Sequence, residues 1–270
     1  MKKCGEIWTM KHAGTKPVSI KGSKFEAVQG YSKVISLKID NKKHTPLLSF
    51  LVNTFGIDWK DKTRKKVFCR IEDKKGYIYF HSKTSDFQPL TPWICGASTV
   101  RLGKGIWGPS SGFELGKAGD YRKMKTSVKW DFNAIKGYSD LSYDIWLTKK
   151  KESTNSEKKD VEIMVVLSSN FKFPWKKIGE NDNFIILHND KNKFEHFKDK
   201  GHTITFILKK KTNRAKFDIS DLIKYPSKYL KLNLKDYYLR SIDIIQEFTK
   251  NAESEVKLYN LDFDFIRKRG

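Results

Sequence analysis

The run Val161-Glu162-Ile163-Met164-Val165-Val166-Leu167 is strand-length, apolar and β-branched at four of its seven positions, and it holds a carboxylate. Successive side chains of a strand point to opposite faces. Val161, Ile163, Val165 and Leu167 therefore share one side, and Glu162, Met164 and Val166 the other. An ionised carboxylate among apolar neighbours is costly unless hydrogen bonds or a partner charge offset the lost hydration. Glu162 either points to water from a surface strand or faces a cleft where it does chemistry.

The neighbouring sequence repeats the pattern. In Ser142-Tyr143-Asp144-Ile145-Trp146-Leu147-Thr148, Tyr143, Ile145 and Leu147 make a core face, while Asp144 and Trp146 project together from the other. The polar connector Lys149 to Lys159 reads as a hairpin loop that sets this strand antiparallel to the strand of Glu162. Further strands are expected at Thr126 to Phe132, Phe184 to His188 and Thr203 to Leu208. Near the C-terminal end, Ser241, Asp243, Ile245 and Glu247 share one face of a strand over Tyr237 to Thr249. Lys257, Tyr259, Leu261, Phe263 and Phe265 form an aromatic face on a second. One helix is expected from Asp218 to Tyr225, capped by Asp218 or Ser220 and stopped by Pro226. Many strands, one helix and no βαβ rhythm make this an all-β chain built as a two-sheet sandwich.

Residues 1–90 are less patterned. Strand-like runs at Lys33 to Ile39, Lys66 to Ile71 and Gly76 to Phe80 alternate with charged turns, and Pro46 to Val52 reads equally as a short helix or a buried strand. The chain divides on this reading into an N-terminal β-rich extension, 1–90, and a sandwich domain, 91–270.

The formal charge of +23 fits an anionic polymer or surface as partner, or simply a Lys-rich exterior. Cys4, Cys69 and Cys95 are widely spaced, which argues against a zinc site and a disulfide framework. No run approaches the roughly 20 apolar residues of a membrane span. Met1-Lys2-Lys3-Cys4-Gly5 is basic but leads into no apolar segment of a signal peptide.

Three acids inside strands stand out: Asp144, Glu162 and Glu247. Glycoside hydrolysis needs two carboxyl groups flanking the scissile bond. One stays ionised through hydrogen bonds, and the other keeps its proton through burial and neighbouring negative charge.

Ordered motifs over residues 91–268 resemble glycoside hydrolase family 12, the endo-β-1,4-glucanase and xyloglucanase family. The run 161–167 resembles its nucleophile strand, typically Tyr-Glu-Leu-Met-Ile-Trp-Leu. Ile106-Trp107-Gly108 resembles its Leu-Trp-Gly, and Ile135-Lys136-Gly137-Tyr138-Ser139-Asp140 its Val-Lys-Ser-Tyr-Pro-Asn. Ser142-Tyr143-Asp144 resembles the strand whose Asp bonds the nucleophile. Phe217 to Tyr229 resembles the helix on the convex face, and Gln246-Glu247-Phe248-Thr249 the acid/base strand. Val166 stands where the family has Trp, Ile245 where it has Gly, and Lys104-Gly105 where it has Asn.

The resemblance implies a β-jelly roll with a concave substrate cleft and one short helix on the convex side. It implies a retaining double displacement on a β-glucan, with Glu162 as nucleophile, Glu247 as acid/base and Asp144 orienting Glu162. Trp107, Trp146 and Met164 would contact substrate. No metal or organic cofactor is required, and a monomer working outside the cell is expected. Two rival readings fit parts of the chain. One is a glycan-binding sandwich without catalysis. The other is a metal-dependent nuclease, in which Asp243 with Glu255-Val256-Lys257 imitates an Asp…Glu-x-Lys metal site.

Overall fold

In the computed structural model, the described residues are 6–8, 19–21, 25–57, 67–86, 94–107, 113–194 and 200–268. Cys4, Trp93 and residues 108–112 of the Gly/Ser-rich loop lie outside them. Two sheets pack face to face. The larger has nine strands in the order β13 (Lys176–Glu180), β14 (Phe184–Asp190), β15 (His202–Leu208), β12 (Val161–Ser169), β11 (Ser139–Thr148), β17 (Tyr238–Phe248), β9 (Gly96–Gly103), β6 (Leu48–Asn53) and β3 (Phe25–Gly30). The smaller has seven. Its path runs β16 (Arg214–Asp218), β10 (Tyr121–Lys136), β18 (Glu253–Arg267), β4 (Ile35–Ile39) and β5 (Lys42–His44). The remaining two, β8 (Tyr77–Thr84) and β7 (Val67–Lys74), join at β18. A separate pair holds β1 (Glu6–Trp8) and β2 (Ser19–Lys21).

Strands from before residue 91 run inside both sheets. β6 pairs β9 and carries β3 on its other edge, while β8 and β4 share one edge of β18. The boundary expected at residue 90 therefore does not fall between sheets, and the Pro46 to Val52 run enters strand β6 at Leu48. Sheet pairing is set by partners distant in sequence, which local pattern does not reveal.

The alternation expected for β11 and β12 holds. Tyr143, Ile145, Leu147, Val161, Ile163 and Val165 are fully buried in the core between the sheets. Gly137, at φ +64, makes the turn into β11, where a β-carbon would stand 2.6 Å from the Asn251 carbonyl. Only glycine fits there without strain.

Two expectations need correction. The helix, α1 (Ile219–Leu230), does not stop at Pro226 but runs through it to a left-handed cap at Lys231. Ile219, Leu222, Ile223 and Pro226, at i, i+3, i+4 and i+7, form its buried face, and that packing outweighs the hydrogen bond that proline removes. The helix lies on the side of the larger sheet that faces away from the cleft, with Tyr225 against Phe206. In β18 the aromatic face is not continuous. The inward side is Ser254, Val256 and Leu258, then Leu261, Phe263 and Phe265, with Lys257 and Tyr259 turned outward. A register shift at this point, with Asn260 at φ +45, takes one residue out of the alternation.

The core is not wholly apolar. Gln246, fully buried, accepts from Ser82 at 2.9 Å and donates to the Ser254 carbonyl and hydroxyl at 3.0 and 2.9 Å. Cys69 and Cys95 are free and buried. Among the described residues no helix is long and apolar enough to cross a membrane.

Candidate active site

Strand register places the acids. Across β11, Trp146 stands opposite Glu162 on β12, and Asp144 stands opposite Met164 on β12 and Asp243 on β17. Asp140 stands opposite Glu247. One strand further, Arg101 of β9 faces Asp243. Directly paired residues project to the same side of a sheet, so all of these side chains rise from the face turned away from the core. There a cavity of about 210 Å³ is lined by Glu162, Glu247, Asp144, Asp243, Trp107, Trp146, Arg101 and Lys191, among others.

Glu162 is held as an anion. Its Oε2 accepts from Lys191 Nζ and from Thr203 Oγ1, each at 2.6 Å. Burial pushes its carboxyl up, but the Lys191 charge and the hydrogen bonds from Lys191, Thr203 and Asp144 bring it below the ordinary glutamate value. Asp144 is the reverse. Burial first, then the charges of Glu162 and Asp243, push it well above the ordinary range. Trp146 Nε1 donates to Asp144 Oδ2 at 2.8 Å, and Oδ1 is buried without another donor. The two shifts run in opposite directions, which relieves the repulsion between neighbouring carboxylates.

Glu247 is also pushed well above its ordinary value, by burial and then by the charges of Asp140, Asp144 and Glu162, with Lys191 opposing. Its Oε2 is buried with no hydrogen-bond partner. Asp140 beneath it is raised to about 7 by burial, against hydrogen bonds from Ser142 and the Glu247 backbone. The same cavity thus holds one carboxyl pushed toward its ionised form, Glu162, and one pushed toward its protonated form, Glu247. That division suits acid–base chemistry with a nucleophile.

The loop bearing Trp107 is pinned by two guanidinium groups. Arg101 is locked by Asp243 through Nε and Nη2 at 2.8–3.1 Å, and its Nη1 donates to the Trp107 carbonyl. Arg240 Nε donates to the Lys104 carbonyl at 3.1 Å. Gly105 lies directly over Arg101, where a β-carbon would come within 2.2 Å of the guanidinium carbon. No larger residue fits at 105 while Arg101 keeps this position.

Five of the six expected site residues, Glu162, Glu247, Asp144, Trp107 and Trp146, line this one cavity. The sixth, Met164, shares their side of the sheet but is buried outside the lining. Trp146 is 5% exposed; Trp107 meets it edge-on at 4.8 Å, and the Lys191 ammonium lies 5.0 Å over its ring. Its indole serves Asp144, while Trp107 is the more open of the two. Arg101, Asp140, Lys191 and Thr203 were not foreseen. Alternation within β9, β11 and β15 gives a faint signal for three of them. Lys191 sits in a turn, where no periodicity marks it.

The nuclease reading fails on geometry. Asp243 is taken by Arg101 in the larger sheet, whereas Glu255 lies on β18 of the smaller one and accepts from Tyr79. Among the described residues no three His, Cys, Asp or Glu side chains converge as metal ligands.

Residues 108–264 match the model of Glycosyl hydrolase family 12. Among solved structures, a family 12 xyloglucanase from Bacillus licheniformis superposes with a TM-score of 0.63 at 17% identity, covering 89% of this chain and 99% of that one. The catalytic domain of Humicola grisea Cel12A, in complex with a soaked thio cellotetraose, gives 0.60 at 13%, over 81% and 92%. The endoglucanase Cel12A from Rhodothermus marinus gives 0.58 at 11%, over 89% and 100%. At these identities the likeness is one of fold, and its extent carries it into the first 90 residues. No curated protein matches.

Proposed function

The chain belongs to glycosyl hydrolase family 12, and from that premise we propose that it is a retaining endo-β-1,4-glucanase acting by double displacement. The observation that carries the reading is that Glu162 and Glu247 line one cavity in surroundings that push their carboxyls in opposite directions. Family relatives described as xyloglucanases and endoglucanases support a β-glucan as the polymer.

Glu162 attacks the anomeric carbon through Oε1, since Lys191 and Thr203 hold Oε2. Glu247 gives its proton to the departing glucan oxygen, and a glycosyl-enzyme ester forms as the glycosidic bond breaks. Glu247, now ionised, then takes a proton from water, which attacks the same carbon and frees Glu162. The configuration is retained. Asp144 is a positioning residue: it is aimed by Trp146 and coupled to Glu162, whose charge favours the protonated form of Asp144. Trp107 offers an aromatic face to sugar C–H groups beside this centre.

Release of reducing ends from carboxymethylcellulose, barley β-glucan and xyloglucan tests the proposal beside Glu162→Gln. Activity is expected on at least one polymer, with the first-formed product in the β-configuration and a loss of several orders of magnitude in the variant. Inactivity of the native chain on all three, or an inverted first product, overturns it.

A further inference from the structure

A second cavity, of about 400 Å³, adjoins the first through the Trp107 loop: Lys104 lines it, while Trp107, three residues on, lines the cleft. Its charges do not balance. Lys104, Lys117, Lys151 and Arg240 line it against only Glu114 and Asp120. Lys151 pairs with Glu114 at 3.1 Å, and Lys104 with Glu152 at 2.8 Å. That leaves Lys117 and Arg240 against Asp120, whose Oδ2 accepts from the Lys117 backbone N–H at 2.9 Å.

Arg240 is the anomaly. It is 5% exposed, yet among the described residues it has no carboxylate within ion-pair distance. Its Nε and Nη2 reach only the carbonyls of Lys104 and Gly105, at 3.1 and 3.4 Å, and Nη1 is buried without an acceptor. Burial lowers the guanidinium pKa, and the charges of Glu152 and Asp160, beyond ion-pair distance, only partly oppose that; in a low-dielectric wall its field extends into the adjoining space. An anion there would offset both.

The remaining walls define the rest of the ligand. Tyr238 presents an aromatic ring with Lys117 Nζ 5.6 Å over it, and Leu115 and Leu239 supply apolar surface. The volume lies within the range of roughly 300–1,000 Å³ usual for small-molecule sites. An inorganic ion would leave the ring and leucines uncovered.

We infer that this cavity binds a sugar acid, a pyranose bearing a carboxylate such as a uronic-acid unit, with Arg240 and Lys117 facing the carboxylate and Tyr238 the ring. On the hydrolase reading, it is an accessory subsite through which the chain takes acidic glycans.

The test is calorimetric titration of the whole chain with sodium D-glucuronate, D-glucose and inorganic phosphate. Glucuronate is expected to bind and glucose not, with phosphate at least tenfold weaker. Lys117→Met, at an exposed position that leaves folding intact, should weaken glucuronate at least tenfold, as should Arg240→Lys, while Glu162→Gln leaves it unchanged. Phosphate binding as well as glucuronate, no glucuronate binding at millimolar concentration, or loss in Glu162→Gln but not in Lys117→Met each overturns the inference. Titration needs no turnover, so a chain inactive on every glucan would refute the hydrolase reading and still leave this one decided by its own result.

Discussion

The Lys191 ammonium stands 2.6 Å from Oε2 of Glu162, so the candidate nucleophile rests in an ion pair supplied by a turn beyond β14. The same lysine lies over Trp146 and opposes the rise of Glu247. Its charge therefore acts on both carboxyls of the site, in the same direction.

Lys191→Met should move both limbs of the pH–kcat/KM profile upward. Without the cation Glu162 deprotonates at higher pH, and Glu247 holds its proton to higher pH. A displacement of the ascending limb by about one unit or more is expected, with Lys191→Arg close to native. Uniform loss of activity with an unmoved profile would show that Lys191 serves only to pack the turn.

The protonated acids also make stability fall as pH rises. A carboxyl with a higher pKa in the folded than in the unfolded chain costs nothing below its unfolded value, about 4. The cost grows until its folded value is passed. For Asp140 that folded value is about 7, with burial as its main cause. Asp140→Asn should stabilise the chain by a few kcal/mol at pH 8 and hardly at pH 4, measured by urea unfolding. Equal effects at both pH values would contradict the assignment.

Gly105→Ala should act through Arg101. The added methyl displaces a guanidinium that Asp243 holds, and breaking a buried pair costs about 3–5 kcal/mol. In an Arg101→Met background the same change should cost much less. An unchanged cost, read from unfolding midpoints in a double-mutant cycle, would separate Gly105 from Arg101.

Gln246→Leu tests the polar link between the sheets. It nearly conserves volume but removes the acceptor of Ser82 and the donor to the Ser254 carbonyl, leaving the buried hydroxyls of Ser82 and Ser254 only Ser98 and Ser139 as partners. A loss of about 1–3 kcal/mol is expected, because buried hydrogen bonds are broken with nothing to replace them. Since Gln246 points away from the cleft, kcat/KM should hold under native conditions.

What could be read from sequence was local. Strict alternation in 143–147, 161–167 and 241–247 put Asp144, Glu162 and Glu247 on the right faces, because a strand's period is fixed by its backbone. Sheet neighbours are chosen by contacts far apart in sequence, so the strand-like runs at 33–39, 66–71 and 76–80 were legible but not their places inside the two sheets, nor the pairing of Thr203 with Glu162. Pro226 and Asn260 misled for the same reason, since packing of α1 and a bulge in β18 override local preference. The cleft's cations were hidden too. Lys191 and Arg101 are ordinary members of a Lys/Arg-rich sequence until the fold gives each a carboxylate.

β17 lies between β11 and β9, and β18 between β10 and the β4–β8 edge. During synthesis both sheets therefore lack an inner strand until residues 238–267 have left the ribosome. Up to that point the inner faces of the earlier strands have nothing to close against, and the nascent chain is at its most prone to associate with other chains. Translation speed and chaperone supply late in synthesis should govern how much of this protein reaches its native state.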